Sequence, residues 1–130
     1  MLLSQIQRLI FAEFKANEAN LVPLAYPQET FKKPSNGDPY AVIFIVPNET
    51  TDAWCGTLKT GNILINLSYP ANSKLINPTI EAEKFLSIFS EGHKFGGVYI
   101  PDEGTIRNAV NDTEENGRYF IPIVIGFEAK

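Results

Sequence analysis

The stretch "RYFIPIVIGFEA", residues 118–129, decides the fold class. Tyr119, Ile121, Ile123, Ile125 and Phe127 fall on alternate positions, the two-residue period of a strand with one buried face. Pro122 sits among them without an N–H for a ladder, which predicts a sheet edge or a bulge at that point. A long apolar edge invites pairing with another chain. The same stretch therefore predicts a subunit contact through Tyr119, Ile121 and Ile123.

Working outward, "NILINLSY" (62–69) repeats the alternation, with Ile63, Ile65, Leu67 and Tyr69 on one face. "YAVIFIV" (40–46) is apolar at every position and rich in β-branched residues, which predicts a strand covered on both faces. The connection from Pro47 to Gly61 far exceeds the ~2–5 residues of an ordinary hairpin loop. It predicts an extended hairpin arm with Trp54 and Cys55 near its tip. Phe31 and Trp54 are aromatics in connecting segments where packing does not obviously require them, and both are candidates for a subunit or partner contact.

Two helices accompany these strands. In residues 2–16, Leu3, Ile6, Ile10 and Phe14 recur at helical spacing beside Leu2 and Leu9. In "NPTIEAEKFLSIFSEG" (77–92), Ala82, Phe85, Leu86 and Phe89 form the apolar face. Asn77 is placed to cap this helix, Pro78 to open it and Gly92 to end it. Four prolines between Asn20 and Tyr40 predict a surface path with at most brief strand pairing. Short strands are expected in "GGVYIP" (96–101) and "TIRNAV" (105–110). The sum is one α+β domain over residues 1–130. Its antiparallel or mixed sheet has about four to five strands, with two helices packed on it and a hairpin arm.

Composition narrows function. The hydrophobic share of 44% and charged share of 20% are globular values. The net charge of −4 resides in "DEGTIRNAVNDTEE" (102–115), where Asp102, Glu103, Asp112, Glu114 and Glu115 face only Arg107. No basic footprint for nucleic acid remains. The interrupted N-terminal run suits neither a signal segment nor a membrane span, so a soluble cytosolic chain is expected. Cys55 and His93, the single cysteine and histidine, are the parts of a thiol hydrolase. Yet Gly56 leads into strand-like sequence, so no helix N-terminus activates the thiol. His93 follows a helix C-terminus, where it is expected to act as a charge partner. No phosphate loop, metal-ligand spacing or cofactor motif occurs, and no cofactor is expected.

The order of these pieces resembles the tail terminator proteins of long-tailed bacteriophages. The resemblance runs through "LAYPQETFKKPSNGDPYAVIFIVP", "GTLKTGNILINLSYP", "EAEKFLSIFSEGHKF", "GGVYI" and "RYFIPIVIGFEA". The asparagine often found ahead of the loop phenylalanine is absent, and Pro27, Gln28, Glu29 and Thr30 precede Phe31 instead. The resemblance implies a non-enzymatic virion subunit forming a ring, usually a hexamer. Such a ring caps the tail tube, stops its growth and offers a docking surface to the head–tail connector. DNA passes through without specific binding, and the acids of 102–115 would line the lumen or rim. Localisation would be the neck end of the tail, with assembly in the host cytoplasm and no membrane. Head-closure and minor capsid proteins share similar layouts and are the near alternative. A monomeric binding module using the arm is a further one.

Overall fold

The computed structural model describes residues 2–27, 29–32, 38–48, 51–53, 56–70, 76–111 and 117–129. In chain order, helix α1 (Leu3–Ala16) and a 3₁₀ turn (Glu18–Asn20) lead to β1 (Leu24–Ala25) and β2 (Tyr40–Pro47). The arm strand β3 (Thr51–Ala53) and the long β4 (Gly56–Pro70) precede helix α2 (Ile76–Ile88). Four two-residue strands follow: β5 (Lys94–Phe95), β6 (Val98–Tyr99), β7 (Thr105–Ile106) and β8 (Val110–Asn111). The chain then forms β9 (Arg118–Ala129). The class is α+β with a mixed sheet: β1 runs parallel to β2, and every other pairing is antiparallel.

The strands pair in the order β1-β2-β4-β9-β6-β5, with β3 added on β4 and β7 and β8 on β9, nine among the described residues. This exceeds the four to five expected, because two-residue strands are too short to show a period. β4 and β9 pair from Lys59 with Ala129 to Pro70 with Arg118. The strongest alternating segment is thus an inner strand, which corrects the expectation of an open edge. Its far side is covered from within the chain by β6, β7 and β8 in succession.

Pro122 explains why that cover is broken into pieces. Ile106 pairs with Ile123 and Val110 with Phe120, so Arg107, Asn108 and Ala109 stand opposite Ile121 and Pro122 alone. An extra residue on one side of a ladder is a bulge. The Pro122 carbonyl accepts from the Arg107 N–H at 2.8 Å on this side. The donor that proline lacks would point the same way, into the interruption. The extra residue thus lies on the neighbouring segment, and β9 itself runs through Pro122 without a bulge, in unbroken register with β4.

Both helices lie on one face of the sheet. Ile6, Ile10 and Phe14 of α1 join Ala82 and Phe85 of α2 and the adjacent Phe89 over Ile43, Ile63, Ile65, Ile121, Ile123 and Ile125. Each fully buried Ile or Phe contributes roughly 1.5–3 kcal/mol of transfer free energy. Phe14 ties the helices together, its ring centroid 4.8 Å from that of Phe89 and 6.2 Å from that of Phe85. Leu2 and Leu3, expected on the apolar face of α1, stay exposed at its start. There the Gln5 side chain accepts from the Leu2 N–H at 2.8 Å, half of a capping box. At the other end the Asn17 amide donates to the Glu13 carbonyl at 2.8 Å. Helix α2 begins at Ile76, ahead of the cap expected at Asn77. Pro78 still lies in the first turn, where a helix has no use for its missing donor.

Two glycine sites fix the layout. Gly96 and Gly97 have φ of +56° and +95° and make the tight turn between β5 and β6, a conformation that favours glycine. Gly61 lies under the Phe127 ring, where a Cβ would stand 2.6 Å from Phe127 Cζ and 2.7 Å from the Val46 carbonyl oxygen.

Tyr26 anchors the proline-rich connection on α1. Its hydroxyl donates to Glu18 Oε1 at 2.8 Å, its ring meets Phe11 edge-on, and Lys15 Nζ lies 5.1 Å from the ring centre. Burial pushes the phenol well above its ordinary value of 10, and the Glu18 hydrogen bond and the Glu18 and Glu29 charges push it further. The folded chain therefore holds this proton to higher pH than the unfolded chain. The stability it contributes is complete below about pH 10 and is lost as pH rises beyond that. Urea midpoints measured from about pH 9 upward should fall in the native protein and fall less steeply in Tyr26→Phe. The variant should lose about 1 kcal/mol at neutral pH for the missing hydrogen bond.

Candidate interaction surfaces

The residues singled out from the sequence separate into different environments. Ile121 and Ile123 are buried in this subunit's own core, which removes them as contacts to a neighbour. Their alternation marked a core face, and the exposed edge inferred from Pro122 is occupied. Tyr119 is half-buried and stacks on Tyr69 at 6.2 Å. Phe31 is half-buried with its ring 5.7 Å from that of Tyr40, so it closes one end of the sheet. Trp54 and Cys55 lie outside the described residues.

The Tyr40 end is held by a buried arginine that the sequence reading passed over. Arg118 Nε donates to Ser68 Oγ at 3.0 Å, and Nη2 donates to the Asp38 carbonyl at 2.7 Å. Its guanidinium lies 5.0 Å from the Tyr40 ring centre. Such a planar fork suits simultaneous backbone, hydroxyl and ring contacts, and here it docks the end of the proline-rich connection. Nothing in the local pattern flags it, because Arg118 precedes the alternating run.

Of the acidic segment, Asp102 and Glu103 are described and exposed; Asp112, Glu114 and Glu115 lie outside the described residues. Glu103 shares a groove of about 640 Å³ with Glu83, Ser87, Ser90 and Glu91 over Leu86 and Ile106. Thr105 pairs with Val124 while Asn111 pairs with Tyr119. Thr105 and Asn111 are thus about 17 Å apart along β9. The described acids belong beside the exit of α2. His93 also lies there, its Nε2 3.0 Å from Glu13 Oε2 and its ring beside Phe95. His93, expected to act as a charge partner for the end of α2, meets a carboxylate of α1 instead. Among the described residues no three His, Cys, Asp or Glu side chains could together hold a metal ion. No described helix is long and apolar enough to cross a membrane.

Two surfaces have no covering from described helices. The first is the arm. β4 pairs with β2 only as far as Gly61 and with β9 only as far as Lys59. Beyond that, Gly56, Thr57 and Leu58 pair with β3 alone. Thr51–Ala53 and Gly56–Leu58 thus form a two-stranded ribbon running past the sheet.

The second is the sheet face opposite the helices. Register places five rows on it: Tyr40, Ser68 and Phe120; Val42, Asn66 and Pro122; Phe44, Leu64 and Val124; Val46, Asn62 and Gly126; and Thr60 with Glu128. Phe44 is 43% exposed and Val46 45%; Tyr40 and Ser68 are buried under Phe31 and Arg118, and the remaining members are partly exposed. This corrects the reading of 40–46 as covered on both sides. A run apolar at every position does not reveal which face finds a cover.

No protein-family profile matches the chain, and no curated protein matches it. A solved structure shares the fold at a TM-score of 0.67, covering 95% of this chain and 95% of the other. The two sequences are 18% identical, so the likeness concerns the fold.

Proposed function

We propose that this chain is a structural virion subunit: a phage tail terminator that assembles into a ring, usually of six, on the end of the tail tube. The observation that carries the reading is the arm. A two-stranded ribbon standing alone in water is marginally stable, and one that runs past its own sheet gains by lying against a neighbouring subunit or the tube. The chain-long resemblance to tail terminators supplies the kind of neighbour. In this reading the ring ends tube polymerisation, presents its other side to the head–tail connector and lets DNA pass unbound. The net charge of −4 suits such passage, since like charges repel. Asp102 and Glu103 are the described candidates for the rim, and no catalytic role is assigned to any residue.

Co-production with the tail tube protein of the same phage tests the reading under the electron microscope. Tubes of uniform length ending in a ring are expected. Trp54→Ala should leave tubes uncapped and overlong, while Cys55→Ser should change little. Tubes of uncontrolled length in the presence of the native chain would overturn the assignment.

A further inference from the structure

At the root of the arm, where the first turns of α1 meet the end of the sheet, lies a small cavity. Leu3, Ile6, Pro47 and Phe127 give it apolar walls, and Asn48, Lys59 and Thr60 complete the lining. Its volume is about 250 Å³, and an apolar cavity of about 150 Å³ already takes up a benzene ring. There is room for one aromatic side chain. Leu3 is 37% exposed here, so this wall lacks cover. The polar side of the lining is uneven. Asn48 Nδ2 donates to Thr60 Oγ1 at 3.3 Å, whereas half-buried Lys59 forms no ion pair among the described residues. No carboxylate lines the cavity, in a chain whose net charge is −4.

The arm has the complementary character. Residues 49–58, "ETTDAWCGTL", contain two acids, Glu49 and Asp52, one aromatic residue, Trp54, and no base. A large aromatic seated in a pocket is a common anchor of protein interfaces, and opposite charges around it fix the register. The arm does not reach its own cavity. From Gly61, opposite Phe127, β4 runs about 17 Å further to Gly56, which pairs with Ala53 at the far end of the ribbon. The tip is carried away from the root, so an arm that fills the cavity comes from another copy.

Resting on the ring reading above, we infer that the arm of each subunit docks in the root cavity of the next. Trp54 fills the space between Leu3, Ile6 and Phe127, and the acids of the arm face Lys59. Each copy gives one arm and receives one through a different patch. That is a head-to-tail contact, the kind that closes into a ring when the rotation permits.

The arm already carries a reporter thiol, Cys55. Asn48→Cys adds a second at the exposed rim of the cavity. A short bismaleimide should link the two between copies, in the concentrated chain and on capped tubes, and give a ladder of dimers, trimers and longer multimers. Linking should be at least tenfold faster than in Ser87→Cys, exposed on α2, and the ladder should vanish when Cys55→Ser is added. Lys59→Glu should raise the concentration needed for assembly at least tenfold with an unchanged circular dichroism spectrum. Glu49→Lys with Asp52→Lys in the same chain should restore it. Assembly indifferent to Lys59→Glu would overturn the inference, as would a ladder that stops at dimers. Capped tubes that give no ladder would overturn it and leave the terminator reading standing. A ladder in the concentrated chain beside native tubes of uncontrolled length would support the arm contact and overturn the terminator reading instead.

Discussion

Phe14→Ala is expected to destabilise the protein by about 3–5 kcal/mol, the range for deleting a phenylalanine from a packed core. The side chain is fully buried and lies between α1 and the Phe85 and Phe89 rings of the α2 side. Its loss leaves a cavity between two helices that each depend on the sheet and on one another. A helix of 14 residues such as α1 is marginal in isolation, so this contact helps to decide whether it stays docked. Total stabilities of about 5–15 kcal/mol are usual, which makes the loss a large fraction of the whole. Urea denaturation followed by circular dichroism measures it. A midpoint shift worth less than about 1 kcal/mol would show that the two helices pack independently.

Gly61→Ala should cost about 2–4 kcal/mol, an unusually large penalty for one methyl group. The added carbon would stand 2.6 Å from Phe127 Cζ and 2.7 Å from the Val46 carbonyl oxygen. The ring can turn aside at a price in packing, but the carbonyl belongs to the β2–β4 ladder and moves only with the strand. Phe127→Leu in the same chain should therefore recover only part of the loss, and a double-mutant cycle separates the two shares. Gly126→Ala is the internal comparison. It is one residue from Phe127 but on the other face, with no atom nearer than 3.8 Å. It should be tolerated, or stabilising by a few tenths of a kcal/mol through reduced freedom of the unfolded chain. Equal penalties at both glycines would contradict the assignment of faces.

The sequence announced what is periodic and long. The core faces of β4 and β9 follow from Ile63, Ile65 and Leu67 and from Ile121, Ile123 and Ile125, and both helices follow from their spacing of three and four. Gly96-Gly97 marked a short strand nearby, though its role as a hairpin turn became plain only from its φ angles. Strand order was not legible. Pro122 looked like an edge signal because a proline lacks a donor, but one missing donor needs only a local gap. The bulge at Arg107–Ala109 supplies that gap in the interior of the sheet. The covering strands β6, β7 and β8 are two residues each, too short for any period. For the same reason the interface reading of Ile121 and Ile123 failed: alternation reports that a face is buried and not by whom. The uncovered face was hidden in the opposite way, because Phe44 and Val46 read as core when every neighbour is apolar.

The central place of β9 has a kinetic consequence. Its pairing partners β4, β6, β7 and β8 all precede it in the chain. During synthesis, the Ile63–Ile65–Leu67 face of β4 emerges long before the strand that completes it. Until residues 118–129 arrive, β4 can pair along only one side, and its other edge stands open to any extended segment nearby. Folding of the sheet is thus a late event dominated by contacts between residues far apart in sequence, which are slow to form. The nascent chain passes through a stage with an exposed apolar strand, the kind of intermediate most prone to aggregate.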